Sequence, residues 1–389
     1  MTQSYRTKNT NSFLNKSKVI NFKFNAENYQ GYEGDTLASA LIANGIHLVG
    51  RSFKYHRPRG FLGVGVEEPN AMVQLHEGDR SEPNIMATEV ELVEGLIANS
   101  QNCWPSVKFD IGEVNNLLNR FFPAGFYYKT FMWPKSFWMK IYEPIIRRAA
   151  GMGVASLTPD PDRYEHNYEH CDVLVVGSGP SGLASALAAA NNGAKVILAE
   201  DKAHFGGSLL TDEVTINNKP GKEWAEETIR HLESLPNVIL KSRSQVFGYY
   251  DHNMTVMFER VSDHIENPSE YIPRQRLHYI RAGEVVVSTG SIERPLSFGN
   301  NDRPGIFLAS AANEYMKIYE TLVGKNPIIF TNNDTAYLSA IEFKKNNISP
   351  LVLDIRNSSS GDLVKEAQSL GIEIRFSSGV ANTKGHLKV

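Results

Sequence analysis

The chain has 389 residues, more than one hydrophobic core usually organises, so two or three domains are expected. Its 41% hydrophobic and 21% charged residues are ordinary for a globular protein, and a net charge of −3 lacks the basic excess that would make nucleic acid a partner. Two cysteines, Cys103 and Cys171, are too few for a disulfide framework or a four-thiolate cluster; no apolar leader opens the chain, and no run reaches the roughly 18 apolar residues of a membrane span. A cytoplasmic protein with no membrane partner is expected.

From Val19 the sequence "VINFKFNAENYQGYEGDTLASALIANGI" reads as a hairpin followed by a helix, with Asp35 or Thr36 available as its N-terminal cap. The loop "RSFKYHRPRG" gathers Arg51, Lys54, His56, Arg57 and Arg59. A solvated face, a partner contact and an anionic ligand all remain open for it. No histidine falls in metal-ligand spacing, so no metal is expected. The order of these segments resembles the β-grasp, [2Fe-2S] ferredoxin-like domain attached to several amine-oxidising flavoproteins, and the domain is placed at 17–100. Cluster-binding members carry cysteines in the loop after "RPRG". Here "FLGVGVEEPNAMVQL" has none, and Met86 stands about where the last ligand would fall, so no iron–sulfur cluster is expected.

Residues 101–168 read as an aromatic-rich linker. Phe121, Phe122, Phe126, Tyr127, Tyr128, Phe131, Trp133, Phe137, Trp138 and Tyr142 are crowded into a segment broken by lysines and prolines. Packing on the chain's own domains, docking of another subunit and binding to a membrane surface are all open, the second because aromatics are enriched in interface cores.

The stretch "CDVLVVGSGPSGLASALAAANNGAKVILAE" opens a domain at 169–308. Its apolar run to Val176 suits a parallel strand buried on both faces. Gly177, Gly179 and Gly182 supply G-x-G-x-x-G: one glycine for the tight turn, one for close approach of a pyrophosphate, one for helix–strand packing. Pro180 and Ser181 begin the helix whose N-terminus would face the phosphates. The second strand ends on Glu200, placed to accept hydrogen bonds from the adenosine ribose, and Asp201 beside it would repel a 2′-phosphate. NAD or FAD is expected rather than NADP. Gly206, Gly207 and Ser208 follow that strand, and Ser288, Thr289 and Gly290 close a later one; with the fingerprint they resemble the two-dinucleotide-domain flavoproteins of glutathione-reductase type, where such segments lie near the dinucleotide.

Residues 309–389 alternate strands and helices as a second, incomplete Rossmann-like domain inserted in the first. At its first turn Asn332 and Asn333 stand where glycines would be, and would have to serve in a positive-φ turn.

In order, "EGDTLASALIANGI", "RSFKYHRPRGFLGVGVEEPNAMVQL", "NCWPSVKFDIG", "FFPAGFYYKTFMWP", "DPDRYEHNYEHCDVLVVGSGPSGL" and "STGSIERPLSFGNNDRPGIFLASAA" resemble the alpha subunits of heterotetrameric sarcosine oxidases. The resemblance implies an α/β chain: a cluster-free β-grasp domain, then a truncated two-dinucleotide-domain fold. It implies NAD bound at Gly177 to Glu200, FAD and FMN held mainly through a beta subunit, and beta, gamma and delta subunits as partners. Tetrahydrofolate would bind a C-terminal region beyond these residues. The assembled enzyme would oxidise sarcosine to glycine with oxygen, yielding hydrogen peroxide and 5,10-methylenetetrahydrofolate, with no catalytic residue in this chain. A dehydrogenase subunit of opine or hydroxyproline type and a non-catalytic NAD-binding assembly module are the alternatives.

Overall fold

The computed structural model describes residues 3–7, 13–121, 125, 131, 133–149 and 151–389. These form two compact units, Met1–Asp160 with Glu293–Val389, and Pro161–Ile292.

The first unit begins with β1 (Asn15–Phe24), whose Ile20, Phe22 and Phe24 alternate inward while the intervening residues face solvent. Asn25 and Ala26, both at positive φ, turn the chain into antiparallel β2 (Glu27–Glu33). Helix α1 (Leu37–Ala43) is buried along its whole length. Of the two cap candidates Thr36 takes the role: its hydroxyl accepts from Ser39 N–H while the Ser39 hydroxyl accepts from Thr36 N–H. Asp35 instead accepts from Tyr32 N–H and Ser39 Oγ and pairs with Arg6. Strands β3 (Met72–Leu75), β4 (Glu82–Met86) and β5 (Ile97–Ser100) complete a sheet of order β2-β1-β5-β3-β4, with β1 and β5 parallel.

The basic loop is consumed inside this unit. Arg51 donates to the Val107 carbonyl at 2.9 Å and pairs with Glu113 at 3.0 Å, and His56 meets Asp110 at 2.6 Å. Arg57 and Arg59 both reach Asp302, at 2.8 and 2.6 Å. Beside it, the loop 62–71 closes around one carboxylate. Glu68, 3% exposed, accepts four backbone N–H bonds, from Leu62 (2.6 Å), Gly63 (2.8 Å), Asn70 (2.7 Å) and Ala71 (3.2 Å). Burial still holds its pKa above the ordinary value, with the four donors pulling the other way.

The second unit is a βαβαβ arrangement with an antiparallel extension: β6 (Tyr164–Val176), α2 (Pro180–Asn191), β7 (Val196–Ala199), α3 (Gly221–Ser234) and β8 (Val238–Lys241), then β9 (Ser244–Tyr250), β10 (Met254–Arg260) and β11 (Gln275–Val287). The strand order is β8-β7-β6-β11-β10-β9, the first four parallel. All four residues of β7 are buried, as a central parallel strand requires. His278 on β11 lies under the sheet with both ring nitrogens 2.6 Å from carboxylates, Nδ1 from Glu169 and Nε2 from Glu259. Two acceptors require two N–H donors, so the ring is held as the imidazolium. Burial opposes that charge, but the bonds to Glu169 and Glu259 outweigh it and the pKa is raised. Lys241 lies 3.8 and 3.7 Å from the same two carboxylates, and Arg276 lies 3.2 Å from Glu259.

The chain then returns to the first unit through α4 (Ala309–Lys317), β12 (Ile328–Thr331), α5 (Ala336–Lys345), β13 (Leu351–Asp354), α6 (Asp362–Ser369) and β14 (Glu373–Arg375), with β12-β13-β14 a parallel sheet. Its core runs from Phe22, Leu41 and Phe61 to Tyr315, Tyr337 and Phe343. Neither Asn332 nor Asn333 adopts positive φ, contrary to the expectation. The Asn333 side chain shapes the turn instead, its Oδ1 accepting from Thr335 N–H at 2.9 Å. Of the linker aromatics, Phe122, Phe126, Tyr127 and Tyr128 lie outside the described residues, while Phe121, Trp133 and Phe137 are exposed. Among the described residues no helix is long and apolar enough to cross a membrane.

Two tests follow from the buried charges. Glu68→Ala leaves four loop N–H groups without their acceptor and should lower the unfolding free energy by about 3–5 kcal/mol in urea titrations; a loss under about 1 kcal/mol would contradict the role given to Glu68. The His278 contribution is fully present below its unfolded value of 6.5 and is lost as pH rises through the raised folded one. Thermal melts of His278→Gln should therefore show a deficit that is largest near pH 6 and shrinks above it.

Candidate functional site

The fingerprint turn sits at the C-terminal ends of β6 and β7, within the second unit. The backbone closes it: Gly177 N–H donates to the Ala199 carbonyl and Ser288 N–H to the Val176 carbonyl, each at 2.8 Å. Gly177 has φ +94°, and a Cβ there would lie 2.5 Å from the Ser288 carbonyl oxygen and 3.3 Å from Thr289 Cα. Gly182 is buried in the first turn of α2, where a Cβ would stand 1.9 Å from the Gly177 oxygen; helix and turn can be this close only with glycine. Gly179 differs from both. Its φ of −66° suits any residue, and a Cβ there would meet nothing within 4 Å. The protein itself does not require a glycine at that point, which is the open ledge ahead of the helix.

Pro180 occupies the first helical position, Ser181 is exposed beside it, and no side chain caps the helix. The first-turn N–H groups and the positive end of the helix dipole thus face the ledge. Gly206, at φ +127°, and Gly207, at φ +53°, lead into a short turn through Ser208, and a Cβ on Gly207 would lie 2.7 Å from Gly179 Cα. The turn is therefore brought against the ledge, as is Thr289 against Gly177. Thr289 and Gly290 are exposed, and a Cβ on Gly290 would meet nothing within 4 Å.

Glu200 follows β7 and is 6% exposed. Its Oε2 accepts from Ser178 N–H at 3.0 Å and from the Ser178 hydroxyl, and its Oε1 accepts from Lys202 N–H at 3.1 Å. Burial, aided by the adjoining Asp201 carboxyl, pushes its pKa up to about 7, against the pull of these donors. Asp201 is partly buried and its carbonyl accepts from Arg260 at 2.7 Å. Ser178 and Lys202 were not among the residues singled out in the sequence. Ser178 was findable as the polar residue enclosed between the first two glycines, whereas the Lys202 contribution is a backbone N–H and carries no side-chain signal.

Residues 172–233 match the FAD dependent oxidoreductase family, and residues 17–103 match the family of 2Fe-2S iron-sulfur cluster binding domains. The second match corrects the expectation that no iron–sulfur cluster belongs to this chain: the N-terminal fold is that of a cluster-binding family. Cys103 is the one thiol of the matched segment, and burial pushes its pKa up to about 11. Among the described residues no three His, Cys, Asp or Glu side chains converge as metal ligands.

Sarcosine oxidase subunit alpha of Rhizobium meliloti (strain 1021) is 50% identical over 365 residues, covering 92% of this chain and 37% of that protein. The subunit of the same name from Corynebacterium sp. (strain P-1) is 32% identical over 378 residues, covering 96% of this chain and 34% of that protein. The chain thus spans about a third of the length of these curated relatives. Among solved structures, L-proline dehydrogenase from P. horikoshii shares the fold, with a TM-score of 0.59 at 18% identity over 92% of this chain and 57% of that one. The chain is a homologue of the sarcosine oxidase alpha subunits, aligned with their Rhizobium meliloti member over 92% of its own length.

Proposed function

We propose that the unit Pro161–Ile292 binds NAD and that the chain is the NAD-binding part of the alpha subunit of a heterotetrameric sarcosine oxidase. The observation that carries the nucleotide reading is Gly179: a glycine that the fold does not need, in open space, ahead of a helix whose first turn no side chain caps. A pyrophosphate is the ligand that uses those N–H groups, and Ser181 adds a hydroxyl beside them. Glu200 would accept from the adenosine ribose hydroxyls, while Gly206, Gly207, Thr289 and Gly290 would border the rest of the molecule. NAD, when bound, supplies a nicotinamide able to accept hydride; the residues assigned here hold its phosphates and adenosine, and none is given a catalytic role.

The likeness to alpha subunits supports the wider assignment, in which beta, gamma and delta subunits complete a cytoplasmic oxidoreductase. In this reading the assembly demethylates sarcosine to glycine with oxygen, releasing hydrogen peroxide and passing the one-carbon unit to tetrahydrofolate.

Mass spectrometry of the nucleotide released on denaturing the purified chain tests the core of the proposal. NAD is expected from the wild-type chain and none from Glu200→Arg; release of FAD would replace NAD in the assignment. Two glycine variants separate fold from ligand. Gly182→Ala should cost about 2–3 kcal/mol of stability through the clash with Gly177. Gly179→Ala should cost under about 1 kcal/mol yet abolish nucleotide retention, and retention in Gly179→Ala would count against the ledge. Because ribose hydroxyls donate, they favour ionised Glu200. With a midpoint of about 7, NAD should bind about tenfold more weakly at pH 6 than at pH 8 by calorimetry.

A further inference from the structure

We infer that Ser178 is a positioning residue which, through one hydroxyl, ties the Glu200 carboxylate to the 205–208 turn and so sets the width of the ledge. The Ser178 side chain is completely buried. Its Oγ donates to Glu200 Oε2 and, in the same place, accepts from Gly206 N–H at 3.0 Å. A hydroxyl has one proton to give, and giving it to a carboxylate leaves the lone pairs of Oγ for the Gly206 amide. The bond to Glu200 is charge-assisted and polarises the hydroxyl, strengthening it as the acceptor for Gly206.

Two further contacts make this a junction. Ser178 N–H donates to the same Glu200 oxygen at 3.0 Å, so the backbone and the side chain of this residue both engage it. One position on, Gly179 Cα receives Gly207 closely enough to exclude a Cβ. The turn that borders the ledge is thus held at Gly206 by a hydrogen bond and at Gly207 by contact. Other charges around Glu200 are placed differently. Asp201 and Lys202 follow it in the chain, and Arg260 on β10 donates to the Asp201 carbonyl at 2.7 Å. The Lys241 carbonyl accepts from Glu200 N–H at 2.8 Å, and Arg243 N–H donates to the Lys202 carbonyl at 3.0 Å. None of these contacts joins Glu200 to Gly206, and Ser178 does.

The consequence for nucleotide affinity rests on the NAD reading above; the junction itself does not, and the decisive readouts are made on the ligand-free full chain. In Ser178→Ala, carbon-13 NMR of labelled Glu200 should show its midpoint raised by about one pH unit, since a donor to the charged form is gone. Hydrogen-exchange mass spectrometry should show Gly206 protection reduced about fivefold. Ser178→Thr, which keeps the hydroxyl, should restore both, and Glu200→Gln should reduce Gly206 protection although Glu200 does not touch Gly206. An unchanged Glu200 midpoint in Ser178→Ala, or a shifted midpoint with unchanged Gly206 protection, would overturn the inference. If the wild-type chain binds neither NAD nor FAD at any pH, the nucleotide reading fails while these two ligand-free readouts still decide the role of Ser178.

Discussion

The parallel sheet of the second unit ends on a buried carboxylate, and the turns around it take the shape that this charge demands. Leaving Glu200 at 6% exposure without donors would cost several kcal/mol. Three donors offset that cost, and they come from both sides: two from Ser178 in the turn after β6, one from Lys202 after β7. Satisfying the carboxylate therefore fixes the fingerprint turn against the second strand. The glycines follow from that placement. With Ser178 facing inward, Gly177 must take positive φ under the Ser288 carbonyl, and the helix begins so near Gly177 that only glycine fits at 182.

Much of this was legible in the sequence because it depends on local pattern. The hairpin of β1 and β2, the cap at Thr36, the apolar end of β6 and the glycine spacing each specify a feature within a few residues of themselves. What was not legible depends on groups far apart in the chain. Arg57 and Asp302 stand 245 residues apart, so the basic loop could not be told from a ligand site by its composition. The turn at Asn333 misled for a different reason: its position in the pattern suggested a left-handed residue, but a side-chain acceptor serves a turn as well as a positive φ does. The cluster was misjudged because counting thiols addresses ligands alone, whereas the match over 17–103 reflects the fold of the whole segment.

The two units each contain a buried carboxylate that organises a loop, and the two are satisfied differently. A carboxylate offers about four acceptor positions. Glu68 fills four with backbone N–H groups from its own loop, which closes the loop and leaves nothing to offer a ligand. Glu200 accepts from three donors, two on Oε2 and one on Oε1, and its carboxyl also lies within hydrogen-bonding reach of the Asp201 carboxyl. Burial raises both carboxyl groups, but Glu200 reaches about 7 with Asp201 adding to the cost of its charge. A ligand hydroxyl donated to Glu200 would favour the ionised form and recover part of the free energy that burial costs the charge. In Glu68 the four donors all come from its own loop, whereas the donors of Glu200 come from the turns after two different strands, so the same residue type, about equally buried, closes one loop in the first unit and ties two turns together in the second.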